Sequence, residues 1–324
     1  MRYLSGTLIR EHVTVRDLVP VVAEGLAAVA AAGSEHPQRL VFPVGDGGTV
    51  LLMPAYLAPL PALAAKYVAV FPQNAAAGLA TTPGVLVYAD AHTGEPLAVM
   101  DGGVVTQLRT GAVATLATDR MVRADASGLG IIGAGVQALG IAEGILALRP
   151  IRRLRVFARD PRHRHVFVES LSARLQQIGL GGSVHMEEAS TAEEAVLGMD
   201  IVVLATTSAT PVVDPDAIAD NAHVNGVGAF RADMKEIPPA LFARAARVAV
   251  EAPEAALQEA GDLMAAVAAG HVRADALEVL TDLSPGGATG GLSIFKSVGV
   301  AALDAAVARY LDERLAGAGL ELPD

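Results

Sequence analysis

The chain reads as an α/β protein in two parts: a doubly wound, mostly parallel sheet, and a mainly antiparallel α+β domain built from both termini. Three observations predict this. The middle of the chain alternates short apolar runs with helical patterns, an order that builds parallel sheets. One of those runs, Leu129-Gly130-Ile131-Ile132, enters the glycine turn Gly133-Ala134-Gly135 and then a helical pattern opening at Val136. The N-terminal third instead carries strand-like runs separated by turn residues, and a last helix lies beyond the alternating pattern.

Taken in order, an Ala-rich helix is expected from about Val15 to Ala32. Strands follow at Arg39–Pro43, Thr49–Met53, Ala65–Phe71, Gly84–Asp90 and Pro96–Asp101. They are parted by the turn-prone Gly45-Asp46-Gly47-Gly48, His92-Thr93-Gly94-Glu95 and Asp101-Gly102-Gly103. A helix over about Thr106–Arg123 leads into strand Leu129–Gly133, helix Val136–Leu148 ended by Arg149-Pro150, strand Leu154–Ala158 and helix Arg162–Ile178. Strand Ser183–Met186, helix Thr191–Leu197 and strands at Ile201–Ala205, His223–Val227 and Arg247–Val250 come next. The final helix, Val300–Leu315, is expected to return to the first domain. The partition is thus residues 1–124 with 300–324 as a mainly antiparallel first domain, and 125–299 as the alternating domain that carries the glycine turn.

Composition narrows the classes. With 324 residues, 52% hydrophobic and 18% charged, the chain has material for two sizeable cores. A formal charge of −11 disfavours a nucleic-acid or anionic-membrane surface. The absence of cysteine removes disulfides, thiolate metal sites and cysteine nucleophiles, and fits a reducing cytoplasm. No apolar leader follows the start, and the apolar stretch Val50–Ala65 is interrupted by Pro54, Pro59 and Pro61, so a soluble, cytoplasmic protein is expected. The histidines lack metal-ligand spacing; His163 and His165 fall in a basic stretch and read as solvated, so no metal is expected.

The glycine turn carries the first chemistry. Gly133 lets the chain leave the strand sharply, Gly135 lets backbone approach a pyrophosphate, and small Ala138 lets the next helix pack close. The amides of Val136 and Gln137 then face the anion at the helix N-terminus. At the tip of the second strand, where a ribose-binding carboxylate is usual, stands Arg159, followed by Asp160-Pro161-Arg162-His163-Arg164. Guanidinium groups neutralise a 2′-phosphate, which favours NADP(H). A solvated basic loop and an acidic role for Asp160 stay open, and with them NAD(H).

A few cations carry the rest. Lys66 heads an apolar strand, where a charge is costly without a partner or a task. Arg109, read as opening its helix, stands at the wrong end of the macrodipole unless an anion is near. Arginine clamps carboxylates at two points, and a buried lysine can donate a proton near neutrality. Each of these, and Arg39, also reads singly as a surface cation with its stem along the core. Pro285-Gly286-Gly287-Ala288-Thr289-Gly290-Gly291 lacks the lysine of a P-loop and is expected to approach an active-site cleft. Glu259-Ala260-Gly261-Asp262 reads equally as facing a cofactor or ending a helix.

Together these stretches resemble the ornithine cyclodeaminase/μ-crystallin family. The resemblance is carried by Arg39, Leu52-Met53-Pro54, Lys66-Tyr67-Val68, Phe71-Pro72-Gln73-Asn74, the run Asp90 to Ala98, and Thr106 to Ala112. Further along it is carried by Gly130 to Ala138, Ala205-Thr206-Thr207-Ser208 with Pro211, Asn225-Gly226-Val227-Gly228 and Phe295-Lys296-Ser297-Val298-Gly299. The family implies a homodimer of two-domain subunits doing hydride chemistry on small imino and amino acids. On that resemblance Arg39, Arg109 and Met53 contact the substrate, and Lys66 touches its carboxylate or polarises the imine. Thr110, Gly133, Gly135, Val136, Gln137, Arg159, Thr206, Thr207, Val227, Gly228 and Lys296 line the cofactor.

The chain also departs from the family. Where cyclodeaminases carry an aspartate two residues beyond the Asn-x-Val-Gly glycine, it has Phe230, which cannot accept a proton. The position two before Met53, acidic in cyclodeaminases, is Leu51. Asp233 takes over only if its loop folds differently. The expectation is therefore an NAD(P)H-dependent reductase of a cyclic 2-imino acid such as Δ1-pyrroline-2-carboxylate or Δ1-piperideine-2-carboxylate. The alternatives are an ornithine cyclodeaminase, an open-chain alanine-type dehydrogenase, or a dinucleotide-bound μ-crystallin-like binding protein.

Overall fold

A computed structural model describes residues 1–284, 286 and 290–322. It begins with β1 (Arg2–Leu4), α1 (Gly6–His12), α2 (Val15–Val29), β2 (Leu40–Val44), β3 (Gly48–Leu57), β4 (Ala62–Val70), β5 (Gly84–Asp90), β6 (Pro96–Asp101) and α3 (Gly102–Met121). Then come β7 (Gly128–Ile132), α4 (Val136–Leu148), β8 (Arg153–Phe157), α5 (Pro161–Gln177), β9 (His185–Glu188), α6 (Ala192–Val196), β10 (Ile201–Leu204) and β11 (His223–Gly226). The chain continues through α7 (Pro239–Arg244), β12 (Ala245–Val250), α8 (Pro253–Glu259), α9 (Gly261–Ala268), β13 (Glu278–Val279) and β14 (Leu292–Lys296), and closes with α10 (Ala301–Arg314) and β15 (Leu320–Glu321).

Two compact units result, Met1–Arg109 with Val300–Asp324, and Thr110–Gly299, and the division falls inside α3. The first holds a seven-stranded sheet in the order β15-β1-β6-β5-β4-β3-β2. Only β1 and β6 pair in parallel; the other neighbours are antiparallel. Side chains alternate across the β3–β4 hairpin, so Met53, Ala55, Leu57, Ala62, Ala64 and Lys66 are buried while Leu52, Pro54 and Tyr67 are exposed. The buried face is covered by α10, which also packs on α2. Helix α2 starts where it does because of a capping box: Asp17 N donates to Thr14 Oγ1, and Thr14 N donates to Asp17 Oδ2.

The second unit holds an all-parallel sheet in the order β13-β12-β14-β11-β10-β7-β8-β9. Strands β7, β10 and β14 are buried along their whole length, as expected when helices cover both faces. The chain passes from β7 to β8 and β9 on one side and then crosses to β10 on the other. The switch point lies between β7 and β10, the place where such sheets bind ligands. No helix among the described residues is long and apolar enough to cross a membrane.

Two expectations about local structure are corrected. Lys66 sits in the middle of β4 rather than at its head, because the hydrogen-bonded ladder with β3 runs back to Ala62. Arg109 lies in the interior of α3, which begins at Gly102, so the macrodipole gives it no reason to seek an anion. The helix starts earlier because Asp101 Oδ1 accepts from Val104 N and caps it. Strand β14 went unread as a strand, although it is central to the sheet. Most of the glycine-rich segment Pro285 to Gly291 lies outside the described residues.

Candidate active site

In the first unit, two cations from distant stretches meet on one carboxylate from a third. Lys66 Nζ donates to Asp304 Oδ2 at 2.5 Å, and Arg109 Nε donates to Asp304 Oδ1 at 3.2 Å. Lys66 Nζ also reaches Thr106 Oγ1 at 3.3 Å. Lys66 is 2% exposed, Arg109 6% and Asp304 1%, so the group stands in the core. Burial pulls the Lys66 ammonium down to about 8, with Asp304 opposing the shift and the charges of Arg109 and Arg39 adding to it. Arg39 is half-buried just before β2, and its charge reaches Lys66. Met53 is the cross-strand partner of Lys66 and is buried on the same face.

Asp304 did not stand out in the sequence. Its signal is a single acid within an otherwise apolar stretch, Ala301 to Ala308, of the last helix. An acid there needs a cation, and it finds two. It also lies in the first turn of α10, where the helix dipole favours an anion.

In the second unit, the expected cofactor residues other than Thr110 lie at or just beyond the carboxyl ends of the parallel strands. Phe157, Ile132, Leu204, Gly226 and Lys296 form one row across parallel strands. The segments leaving that row carry Gly133 and Gly135, Arg159, Thr206 and Thr207, and Val227 and Gly228. Gly133 has φ 103°, a left-handed conformation, and a Cβ on it would run into the Ala205 carbonyl. Open space lies where a Cβ on Gly135 would stand. No side chain caps α4, so its first amides, with exposed Val136 and half-buried Gln137, present an anion-binding end. Ala138 is fully buried against the strand layer. A tight turn, an open approach and an uncapped helix end fit a dinucleotide pyrophosphate.

Arg159 is exposed just beyond β8. Asp160 is occupied as the cap of α5: it accepts from Arg162 N at 2.9 Å and pairs with the Arg162 guanidinium. Those hydrogen bonds hold its carboxyl well below the ordinary range. Thr110 is buried in α3, and Thr207 is exposed beyond β10. Lys296 is fully buried, with Nζ 3.3 Å from Asp262 Oδ2 and 3.7 Å from Glu236 Oε1. Its ammonium points to these internal carboxylates. Asp262 lies in the first turn of α9, the helix-terminus alternative of the sequence reading.

Phe230 packs against the apolar core of this unit. Asp233 is exposed and pairs with Arg231 through two 3.0 Å hydrogen bonds. Leu51 is 5% exposed. Among the described residues, no three His, Cys, Asp or Glu side chains are grouped to hold a metal.

Known proteins match the chain over its whole length. A Δ1-pyrroline-2-carboxylate reductase of Bacillus cereus is 34% identical over 327 residues, covering 99% of this chain and 98% of that protein. A Δ1-pyrroline-2-carboxylate/Δ1-piperideine-2-carboxylate reductase of Azospirillum brasilense is 36% identical, covering 92% of this chain and 91% of its own. The solved structure of Thermococcus litoralis Δ1-pyrroline-2-carboxylate reductase, in complex with NADH and L-proline, superposes with a TM-score of 0.92 at 28% identity, covering 99% of this chain and 100% of that one. The sequence profile of the ornithine cyclodeaminase/mu-crystallin family matches residues 4–319, and the chain belongs to that family.

Proposed function

We propose that the protein is an NAD(P)H-dependent reductase of a small cyclic 2-imino acid, of the Δ1-pyrroline-2-carboxylate or Δ1-piperideine-2-carboxylate type. The observation that carries this reading is the cluster on Asp304. Two buried cations share one carboxylate, so the group keeps a net positive charge that an anionic guest neutralises. Arg109 spends only its Nε on Asp304, which leaves its terminal nitrogens for a two-point clamp on a substrate carboxylate. Arg39 supplies a further charge to the same carboxylate, and Met53 packs beside it.

When bound, the reduced dinucleotide supplies the hydride. As the imine carbon accepts it, the C=N π pair moves to nitrogen and takes a proton from Lys66 Nζ. Lys66 suits this role because burial brings its pKa near neutrality, and Asp304 holds the ammonium in place. Thr110, Val136, Gln137, Thr206, Thr207, Val227 and Gly228 are assigned to the cofactor, with Gly133 and Gly135 under its pyrophosphate. Lys296 is assigned to the same site as an internal support. Arg159 is assigned to the 2′-phosphate of NADPH, since Asp160 is committed to capping α5. Phe230, packed against the core, and Asp233, paired with Arg231, offer no free acid in this loop for activating a second amino group, which disfavours ornithine cyclisation.

The test is dinucleotide oxidation by the purified protein against a panel of cyclic and linear 2-imino acids, run with NADPH and with NADH. Turnover of a five- or six-membered cyclic imino acid is expected, with the lower KM for NADPH, and ornithine should release no ammonia. Ammonia and proline from ornithine would make it a cyclodeaminase, and no turnover with any imino acid would favour a binding protein. A lower KM for NADH would withdraw the role of Arg159.

The same reading includes a homodimer. Leu40, Leu52, Tyr67 and Val85 are direct cross-strand neighbours in one row over β2 to β5, and they are 59%, 39%, 44% and 42% exposed. Beside them β2 is exposed along its length and pairs only with β3 among the described strands. A bare apolar row next to an open edge is an aggregation hazard unless a second copy covers it. Sedimentation equilibrium should give twice the 33.1 kDa chain mass, and Tyr67→Lys should lower it toward one; a monomeric wild type refutes the dimer. A cytoplasmic setting accords with the cysteine-free chain.

A further inference from the structure

Beneath the cofactor edge of the second unit lies a buried group that the reduction itself does not use. Glu236, Asp262 and Lys296 are all fully buried, in a loop, at the start of α9 and at the end of β14. Glu236 divides its two oxygens between two loops. Oε2 accepts from Thr206 N at 2.9 Å and Thr206 Oγ1 at 3.2 Å, in the segment after β10. Oε1 accepts from Gly228 N at 2.5 Å and Ala229 N at 3.2 Å, in the segment after β11. Burial pushes the Glu236 carboxyl up and the Asp262 charge adds to the rise, while Lys296 and the amides of Thr206 and Gly228 oppose it. Its four hydrogen bonds all come from donors and Lys296 stands between it and Asp262, an arrangement that satisfies a carboxylate. Gly228 makes the close approach feasible, because a Cβ there would overlap the backbone of Thr206 and the Glu236 carboxylate.

We infer that Glu236 is a positioning residue: by giving one oxygen to each loop, with Lys296 as its counter-ion, it holds the β10 and β11 loops in the register that binds the nicotinamide half of the dinucleotide. The assignment of halves follows from the sheet and rests on the dinucleotide reading above. The pyrophosphate belongs to the turn after β7 and the adenosine ribose to the tip of β8, so the nicotinamide half crosses the switch point toward β10 and β11. No residue of the cluster lies on the β8 side.

The substitution Glu236→Gln isolates the claim, because its size is unchanged and its one carbonyl oxygen can serve only one of the two loops. The amide nitrogen then faces a backbone N–H, two donors in opposition. The probes are NADPH and NADH on one hand, and ADP-ribose with and without its 2′-phosphate on the other, with affinities read by calorimetry. Glu236→Gln should weaken the whole dinucleotide about tenfold, a loss on the scale of one charge-assisted hydrogen bond, and leave the adenine-half fragment unchanged. Gly228→Ala, which pries the same loops apart, should give the same split, and it serves where Glu236→Gln does not fold.

Equal loss for dinucleotide and fragment would mean general damage to the unit and would overturn the inference. So would unchanged dinucleotide affinity in both variants. If the wild type binds neither probe, the dinucleotide reading falls and takes this inference with it. Because binding is measured without an imino acid, none of these outcomes turns on the identity of the substrate.

Discussion

Replacing Lys66 by methionine is expected to lower cyclic-imine reduction by about 10²- to 10⁴-fold, the range a positioned proton donor contributes. Methionine keeps the length and the packing of the aliphatic stem within β4 but removes every donor. Dinucleotide affinity should hold, because the residues assigned to the cofactor pyrophosphate belong to the other compact unit. Asp304 retains Arg109 as its partner, so the variant does not leave that carboxylate alone in the core. The pH profile gives a second readout. Lys66 with a pKa of about 8 donates below that value and not above it, so wild-type kcat/KM should fall as pH rises through about 8. In Lys66→Met that descending limb should be missing. Full turnover in the variant, or a limb still present near pH 8, would remove Lys66 from the chemistry.

The reach of the sequence differs between these two sites for a physical reason. The turn at Gly133 and Gly135 was legible because a positive φ and a close backbone approach demand glycine, and so leave a mark in residue type. The alternation of β7 to β10 with helices was legible for a similar reason, since its fully buried strands β7 and β10 are continuous apolar runs. Lys66 was legible as a costly charge in an apolar strand. Its partner was not, because Asp304 is 238 residues away and a single acid in an Ala-rich helix looks like any solvent-facing residue. Glu236 was hidden more completely: what it binds is mostly backbone N–H, which every residue type but proline offers. Strands β1, β15 and β13 are three, two and two residues long, too short for any periodicity. Strand β14 was masked by a fully buried lysine whose cost is met only by acids from elsewhere in the chain.

Asp304→Asn should move the same descending limb to lower pH and cost stability as well. Of the influences on Lys66, Asp304 alone raises its pKa, by its charge and by a hydrogen bond; burial, Arg109 and Arg39 all lower it. With the carboxylate neutralised, every remaining influence favours the neutral amine. The limb therefore shifts acidward from about 8, and turnover at a fixed alkaline pH drops further than turnover in mild acid. Stability follows by linkage. Because the folded-state pKa of Lys66 lies below its ordinary 10.5, the unfolded chain binds more protons between pH about 8 and 10.5, and stability rises with pH across that window. Below about 8 the cost of burying the ammonium is felt in full. Removing its counter-ion increases that cost, by an amount on the order of 3–5 kcal/mol for a broken buried pair, and widens the window toward acid. Denaturant unfolding at several pH values measures the second effect, and the pH dependence of kcat/KM the first. If stability falls while the limb stays near pH 8, Asp304 balances charge in the core without governing the proton of Lys66, and the proton source must be sought in another group. If the limb moves acidward with the stability loss, the carboxylate that orders the two cations also sets the pH range over which one of them can act.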